Sequence, residues 1–389
     1  MKMPRTRMLL EPGSSNTSGN RLQPHAGTGS TAVPARTRDR SLSRASRGKL
    51  VAQLLAGAWR ASPPASLTTA EDLAEIAVLL LKSGASALAW HSLRESQLRN
   101  CPAASQLHQA YRLHSLQGAI SERSLKQVIP VFRSFGAEPV LVKGWATARL
   151  YPEPGLRPYC DLDLCVSQDH YAAAKAALKA VETAGAIIDL HVGFGKFYER
   201  KTDRIFERTQ LVKLGELDVR VLCPEDDLRF LCLHFLRHGA IRPLWLADIA
   251  VLLETRRDDF DWDLCLSGSS RHVDWVACAI GLAYHLLGAD IQGVPVWRRV
   301  HHLPSWLVTP TLKAWGTPVE SPRQVAAYLH HPISLPRELI RHWPNPTEAT
   351  MTVQGPFNHL PRLAFQLAHV ASRSAELLRR LLAGSAQIR

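Results

Sequence analysis

Two aspartates spaced two residues apart are the first candidates for chemistry in this sequence. Asp161 and Asp163 alternate with Leu162 and Leu164 in the segment DLDLCV. Side chains on a β-strand alternate between its two faces, so the two carboxylates share one face and the two leucines share the other. Carboxylates held side by side repel each other unless a cation lies between them. Because Mg²⁺ is bound by one or two carboxylates together with phosphate oxygens, the pair predicts a site for a metal and a phosphorylated substrate.

A second segment, IDLH, repeats this pattern. Asp189 and His191 share a strand face by the same period of two. If the two strands are neighbours, Asp189 can supply a third carboxylate and His191 a nearby hydrogen-bond donor or base. Asp218, on the next predicted strand, is the competing candidate for the third acid. The sequence pattern does not decide between Asp189 and Asp218. Carboxylates gathered without a metal repel one another, so the pKa of at least one of them is expected to be raised.

Candidate phosphate ligands precede the acidic pair. Lys143 and Gly144 follow the short apolar run Pro139–Val142 and begin a predicted helix. A glycine at this position lets backbone N–H groups approach a phosphate, and a helix N-terminus favours negative charge. Arg157, at the end of a proline-rich loop over residues 151–158, is able to hold a phosphate through two parallel hydrogen bonds. These three residues predict the contacts of a triphosphate.

A small α/β unit between two helical regions is predicted to position these residues. Apolar residues at three- and four-residue spacing predict helices before residue 136, and Pro224 followed by three acids predicts the first helix after the unit. The expected fold class is α+β, with a small mixed sheet whose strands lie near residues 139–142, 161–166, 186–192 and 217–222. The predicted regions are a helical N-terminal region (49–135), an α/β core (136–223) and a helical C-terminal region (224–389). A core of about 90 residues without a GxGxxG motif excludes a doubly wound dinucleotide-binding fold.

The net charge of +13 is concentrated at the N-terminus. Residues 1–50 contain ten basic and two acidic residues, which gives +8 and leaves +5 for the rest. Residues 1–48 are rich in Ser, Thr, Gly, Pro and Arg without an apolar period, so they are expected to form a disordered basic tail. Such a tail binds polyanions without sequence preference, and specific nucleic-acid binding is therefore not indicated.

The cysteines and the apolar runs indicate the cellular compartment in which the protein is expected. The seven cysteines form no CxxC pair and are odd in number, a pattern typical of free thiols in a reducing cytosol. A cytoplasmic location is therefore expected. No apolar run, including the one near Ala77–Leu81, approaches the 18 or so residues that a membrane span requires, and no secretory signal is expected.

Three segments together resemble a known family. The stretch LVKGWATARLYPEPGLRPYCDLDLCV is similar to the signature of a bacterial family of uncharacterised nucleotidyltransferases in the DNA polymerase β superfamily: a KG turn, a helix, a YP(D/E)PGLR loop and a D-hydrophobic-D strand. The segment IDLH resembles the family's vDlHw strand, with Val192 in place of the aromatic residue. VRVLCPED resembles its vrvLspeD segment before a helix. The resemblance covers roughly residues 138–255.

The resemblance implies a metal-dependent transfer of a nucleotidyl group from an NTP, such as ATP, to a hydroxyl or phosphate acceptor. Asp161 and Asp163 would bind two ions of Mg²⁺ or Mn²⁺, and Asp189 would complete the metal that activates the acceptor. The triphosphate would be held by Lys143, the Gly144 amide and Arg157. The acceptor would lie between the α/β unit and the C-terminal helices, and it could be a small molecule, a peptide, a protein or an RNA end.

Two other interpretations of the acidic strand remain. A DxD motif also binds a metal diphosphate in sugar-nucleotide glycosyltransferases, but their fold places a long α/β domain before the motif, where this chain has about 85 helical residues. The other alternative is a non-catalytic nucleotide-binding or antitoxin-like protein on the same fold. The third carboxylate, Asp189, argues against that alternative.

A histidine pair on the first C-terminal helix is a second-tier candidate. His234 and His238 lie at i and i+4, a spacing that can bind zinc, but no third ligand and no HExxH motif accompany them. We expect a packed or hydrogen-bonded pair, with a substrate contact as the next interpretation. Asp248, the polar residue in the apolar segment Leu244–Leu253, is expected to pair with a base such as His238 or Arg242.

Overall fold

A five-stranded mixed sheet carries the acidic segments. In the computed structural model, residues 42–181, 187–195, 200–318 and 343–386 are described. The strands are β1 (Val140–Val142), β2 (Asp161–Val166), β3 (Ile187–Val192), β4 (Gln210–Leu214) and β5 (Leu217–Val221), and their order in the sheet is β3-β2-β1-β5-β4. β1 runs antiparallel to β2 and parallel to β5, while β2 and β3 are parallel. The predicted α+β class and mixed sheet are confirmed.

The strand β4 was not expected from the sequence. It pairs antiparallel with β5, with Leu214 opposite Leu217 across the turn at Gly215 and Glu216. Gly215 has a φ of 61°, a left-handed conformation that glycine adopts without steric cost. The segment QLVKL before this turn was not recognised as a strand, because its apolar and polar residues alternate only weakly. Such weak alternation is tolerated here because the strand lies at the half-exposed edge of the sheet.

Helices precede the sheet as predicted. The bounds are α1 (Arg44–Leu55), α2 (Ala70–Ser83), α3 (Ser86–Leu93) and α4 (Pro102–Ser134), with a 3₁₀ turn at Gln97–Asn100. The Thr69 hydroxyl accepts a hydrogen bond from the Asp72 amide at the start of α2. Gly84, with a φ of 81°, ends the helix.

Helix α1 begins within the segment for which the sequence predicted disorder. Ser43 caps it by accepting a hydrogen bond from the Ser46 amide, and Gly48 is buried. A Cβ on Gly48 would lie 1.9 Å from the carbonyl oxygen of Leu312, so a side chain there would prevent the close helix contact. The expected tail is therefore wrong for residues 44–48, where small residues allow packing. Residues 1–41 lie outside the described residues.

Two faces of the sheet are covered differently. On one face, Leu162 and Leu164 pack with α4 and with α6 (Tyr171–Ala180), as predicted for the leucines of the acidic segment. On the other face, Val142 and Cys165 form a small cluster with Phe194 and with α7 (Thr202–Glu207). The alternation along β2 therefore directs Asp163 to this second face.

The helices after the sheet share a hydrophobic core with those before it. Buried residues from α1 to α4 pack with buried residues of the C-terminal helices in one large cluster, so the two predicted helical regions are not separate in the structure. Among the described helices, none is both long and apolar enough to cross a membrane. The C-terminal helices are α8 (Pro224–Arg237), α9 (Pro243–Thr255), α10 (Trp262–Leu266), α11 (Ser270–Leu287), α12 (Trp297–His301), α13 (Ser305–Trp315), α14 (Pro346–Thr352) and α15 (Leu363–Ala386).

Candidate functional site

The register of β2 and β3 brings the two acidic segments together. Asp163 lies opposite Asp189, and Cys165 lies opposite His191. Asp161 lies at the exposed start of β2, opposite Ile187. Asp218 is on β5, separated from β2 by β1, and it forms an exposed ion pair with Lys213 at 3.0 Å. Of the two competing acids, Asp189 is therefore the neighbour of the DxD segment.

Asp163 is the centre of the site. Its side chain is 8% exposed, and its Oδ1 lies 3.0 Å from Lys143 Nζ and 3.0 Å from His191 Nε2. Burial alone would raise the pKa of Asp163, but the His191 hydrogen bond and the Lys143 charge together hold that pKa below its ordinary value. The raised pKa expected from repulsion is therefore wrong for this residue, because Lys143 and His191 take the position expected for a metal.

His191 links the two aspartates. Its Nε2 donates to Asp163 and lies 3.5 Å from Asp189 Oδ2. The hydrogen bond to Asp163 raises the pKa of His191, since it favours the protonated ring. One ligand atom from each of Asp163, Asp189 and His191 lies within 4.8 Å of the others, a spacing compatible with metal binding. Asp161 is not a member of this group.

A strained turn positions Lys143. Lys143 has φ 55° and ψ −146°, and Gly144 has φ 42°. A non-glycine residue in such a sparsely populated region costs on the order of 1–3 kcal/mol, and it persists where the surrounding structure fixes it. The turn directs the ammonium group to Asp163. The following helix, α5 (Gly144–Ala148), has only five residues, so its dipole is weaker than the sequence argument for a phosphate site assumed.

A cavity of about 370 Å³ lies between the sheet and α8. The sheet side contributes Lys143, Asp163 and His191, and the segment after β3 contributes Phe194. Several of the lining residues were not expected from the sequence, although they lie at strand or helix spacing from residues that were. One lies two residues after Asp163, one lies four residues before His234, and one lies three residues after His234. These additional lining residues are Cys165, Phe230 and Arg237.

His234 and His238 form the α8 side of the cavity as a packed pair. Their ring centroids lie 4.6 Å apart, and Trp245 packs against both. Burial lowers the pKa of His234 to about 2 and that of His238 to about 4, and nearby positive charges contribute. Both rings are therefore neutral at pH 7. The two histidines join no third metal-ligating side chain among the residues that the structure describes.

Arg157 makes a different contact from the one expected. Its guanidinium is buried and pairs with Asp248, with 2.9 Å between Nη2 and Oδ2. The Tyr151 hydroxyl donates to the other Asp248 oxygen at 2.8 Å. Arg157 is not among the residues that line the cavity, and Asp248 pairs with it rather than with His238 or Arg242. A buried arginine requires a carboxylate partner, and α9 supplies it through Asp248 where the loop packs on that helix.

A buried carboxyl group lies behind the cavity. Asp227, in the first turn of α8, is 7% exposed, and burial raises its pKa to about 7. Arg149 and Arg157 oppose this shift, whereas Asp248 and Asp226 add to it. Asp226, the preceding residue, instead forms ion pairs with Arg200 and Arg208.

The raised pKa of Asp227 makes stability depend on pH. Between the ordinary pKa of about 4 and the folded value of about 7, the folded protein retains a proton that the unfolded chain releases. Stability contributed by this group is present at low pH and is lost as pH rises through 7. Asp227→Asn removes the effect. The unfolding free energy of this variant, relative to that of the unaltered protein, should therefore rise by about 2.5 kcal/mol between pH 5 and pH 8.

Urea unfolding of both proteins at the two pH values measures this change. The control is Asp226→Asn, which loses two ion pairs and should be less stable than the unaltered protein at both pH values. An Asp227→Asn difference that stays constant with pH would show that Asp227 is ionised in the folded state.

The comparison with protein families covers the whole of this site. The family described as "Uncharacterised nucleotidyltransferase" matches residues 69–273, more than half of the 389 residues. The match runs from the start of α2 into α11 and includes the sheet, the strained turn and the histidine pair. It is wider than the resemblance over residues 138–255, because it includes helices before the sheet. Comparisons with curated proteins and with solved structures find no match. The chain therefore belongs to this family of uncharacterised nucleotidyltransferases.

Proposed function

We propose that the protein transfers a nucleotidyl group from an NTP, such as ATP, to a hydroxyl or phosphate acceptor, with Mg²⁺ or Mn²⁺ as cofactor. The observation that carries the proposal is the cluster of Asp163, Asp189 and His191 beside a cavity whose opposite wall is α8. Membership of the family favours this reaction over sugar transfer by a DxD glycosyltransferase and over a non-catalytic binding role.

The donor set suits a hard divalent cation. Asp163 and Asp189 offer carboxylate oxygens on adjacent strands, and Asp161 offers a further carboxylate at the exposed start of β2. In the proposal these three aspartates hold the metal ions. A bound metal would neutralise triphosphate charge and lower the pKa of the attacking hydroxyl. The side chain of Asp189 is 60% exposed, so this part of the site is open to a substrate.

Lys143 is proposed to have two successive partners. Before substrate binds, its ammonium group neutralises Asp163 at 3.0 Å. When a cation takes over Asp163, Lys143 becomes available for a phosphate oxygen, and the Gly144 amide lies next to it in the chain. The strained turn keeps the lysine in this position in both states. Arg157 has no phosphate contact in the proposal, because Asp248 holds it.

The cavity is proposed to receive the acceptor. Its volume of about 370 Å³ is near the lower end of ligand pockets, which hold small molecules or a protruding group of a larger one. The α8 wall presents neutral imidazole and apolar surface through His234, Phe230 and Leu233. Such a wall orients an acceptor hydroxyl by hydrogen bonding and limits the access of competing water.

Parallel incubations with [α-³²P]ATP and [γ-³²P]ATP test the reaction type. Each is supplied with Mg²⁺ or Mn²⁺ and with a separated small-molecule, peptide, protein or RNA fraction as acceptor source. The proposal predicts a product labelled only from the α-phosphate, with release of pyrophosphate. A product labelled from the γ-phosphate would instead identify phosphoryl transfer and contradict the proposal.

A lysine substitution tests the two roles of Lys143. Lys143→Met should lower kcat/KM for ATP by about 100-fold, because an electrostatic contact to the triphosphate is lost. The same variant should bind Mn²⁺ alone at least as tightly as the unaltered protein, since no ammonium group competes for Asp163. Lys213→Met, which removes an exposed ion pair with Asp218, is the matched control and should change neither quantity more than about twofold.

A weaker Mn²⁺ affinity in Lys143→Met, measured by isothermal titration calorimetry, would contradict the exchange of partners. Loss of ATP turnover together with unchanged metal affinity would support the proposed contact between Lys143 and the triphosphate. Equal kcat/KM in Lys143→Met and Lys213→Met would remove Lys143 from the site.

A further inference from the structure

We propose that His191 Nε2 is a ligand of the acceptor-side metal, together with Asp163 and Asp189, and that this nitrogen makes the site prefer Mn²⁺ to Mg²⁺. The inference rests on the proposed function, because it assigns a ligand and a metal preference within that site. It changes the ligand set from carboxylates alone to two carboxylates and one imidazole.

The distances among the three side chains suit coordination. His191 Nε2 lies 3.0 Å from Asp163 Oδ1 and 3.5 Å from Asp189 Oδ2. Ligand atoms bound at about 2.1 Å to one octahedral metal are roughly 3.0 Å from their neighbours, and those around a tetrahedral metal are roughly 3.4 Å apart. Two of the three separations therefore already suit a common ion, and all three atoms lie within 4.8 Å of one another. Coordination by His191 Nε2 displaces the proton that it donates to Asp163, so metal binding releases this proton.

The backbone fixes this arrangement. Asp189 and His191 lie two residues apart on β3, so their side chains share the strand face that carries the cluster. Asp163 lies directly opposite Asp189 on the parallel neighbour β2. His191 is only partly exposed, with 40% of its side chain accessible, whereas the Asp163 side chain is almost fully buried. One wall of the site is thus preformed, and the exposed side remains open to phosphate or acceptor oxygens.

Asp161 is less well placed for the same ion. In the register it lies opposite Ile187, two residue pairs before the Asp163–Asp189 pair, and it is outside the group of converging ligand atoms. Its carboxylate is at the exposed start of β2. We therefore assign Asp161 to the second, nucleotide-side metal of the proposed pair, while the imidazole completes the acceptor-side set.

The donor atoms determine the metal preference. Mg²⁺ is bound almost entirely by oxygen, whereas imidazole nitrogen suits first-row transition metals. Replacing one carboxylate of an all-oxygen set by imidazole therefore weakens Mg²⁺ relative to Mn²⁺. The expected result is an affinity for Mn²⁺ at least about 10-fold higher than that for Mg²⁺, with the ratio reduced when His191 is replaced by an oxygen ligand.

Pulsed electron paramagnetic resonance of bound Mn²⁺ tests the ligand directly, because it detects a coordinated ¹⁴N nucleus. The full chain is titrated with Mn²⁺, alone and with a non-hydrolysable ATP analogue, and Mg²⁺ is then added in competition. His191→Gln and His191→Asp are compared with His238→Gln, which alters a cavity histidine outside the cluster. We expect a ¹⁴N coupling in the unaltered protein and in His238→Gln, its loss in both His191 variants, and a smaller Mn²⁺/Mg²⁺ ratio in His191→Asp.

Bound Mn²⁺ without a ¹⁴N coupling, or a coupling that persists in His191→Gln, would overturn the inference. Failure to bind Mn²⁺ under either condition would overturn it too. These outcomes are separate from failure of the proposed function: a His191-ligated Mn²⁺ site without transfer from [α-³²P]ATP would refute only the reaction. Transfer by a protein whose bound Mn²⁺ shows no nitrogen would refute only the ligand.

Discussion

Asp163→Asn is expected to lower the rate of nucleotidyl transfer by about a thousandfold or more. The variant should lose the stabilisation that the metal gives to negative charge in the transition state, and about 4 kcal/mol of transition-state free energy corresponds to that factor. Within the part of the chain that the structure describes, Asp163 is the carboxylate that contacts both Lys143 and His191. An amide in its place offers a neutral oxygen, which binds a divalent cation weakly. Initial rates with [α-³²P]ATP and the identified acceptor measure the loss.

Folding should largely survive this substitution. Repulsion among carboxylates would make the asparagine variant more stable than the unaltered protein. Asp163 is instead paired with Lys143 and His191, so a modest loss of about 1–2 kcal/mol is expected. Asp218→Asn is the matched control, since Asp218 forms only an exposed pair with Lys213, and its rate should stay within about twofold. Retained transfer by Asp163→Asn would contradict the proposed role of Asp163 as a metal ligand.

Arg157→Met is expected to destabilise the protein by about 3–5 kcal/mol, because it leaves Asp248 as an uncompensated buried charge. Tyr151→Phe removes a single hydrogen bond to the same carboxylate and should cost about 1.5–2 kcal/mol. The double variant Arg157→Met with Asp248→Leu removes both charges and should recover most of the stability. Guanidinium chloride unfolding measures all three variants.

The Arg157 series also separates a structural role from a substrate role. If the guanidinium held a phosphate, Arg157→Met would raise the KM for ATP while leaving unfolding unchanged. The structure predicts the opposite pattern, with a large effect on unfolding and an ATP KM in the stabilised double variant close to that of the unaltered protein. A raised KM in that double variant would restore the phosphate contact expected from the sequence.

Local alternation made the sheet predictable. The period of two in DLDLCV and IDLH identified β2 and β3 to within a residue, and it correctly placed Asp161 and Asp163 on the face opposite the leucines. Strand β4 was missed because its alternation is weak on a half-exposed edge. The start of α1 was missed because the serines and glycine around Gly48 look like a tail, while their function is to allow close contact with α13.

Long-range pairing was harder to predict. The neighbourhood of Asp163, Asp189 and His191 followed from two short motifs once the strands were adjacent. Arg157 and Asp248 are 91 residues apart. Arg157 was expected to bind a phosphate and Asp248 to pair with a nearby base, so the sequence did not indicate that they meet. The lowered pKa of Asp163 depends likewise on side chains from two other elements. The common core of the N- and C-terminal helices could not be predicted either, because periodicity shows which face is apolar and not what covers it.

The most direct measurement is a crystal structure with Mn²⁺ and a non-hydrolysable ATP analogue, in which anomalous scattering locates the metal. We predict Mn²⁺ between Asp163 and Asp189, with the triphosphate within reach of Lys143 and the Gly144 amide. We also predict that Arg157 stays paired with Asp248. Absence of metal from this edge of the sheet would contradict the proposed function. The same holds for an analogue bound only in a separate cavity of about 760 Å³, which is lined by residues that include Arg256 and Trp262.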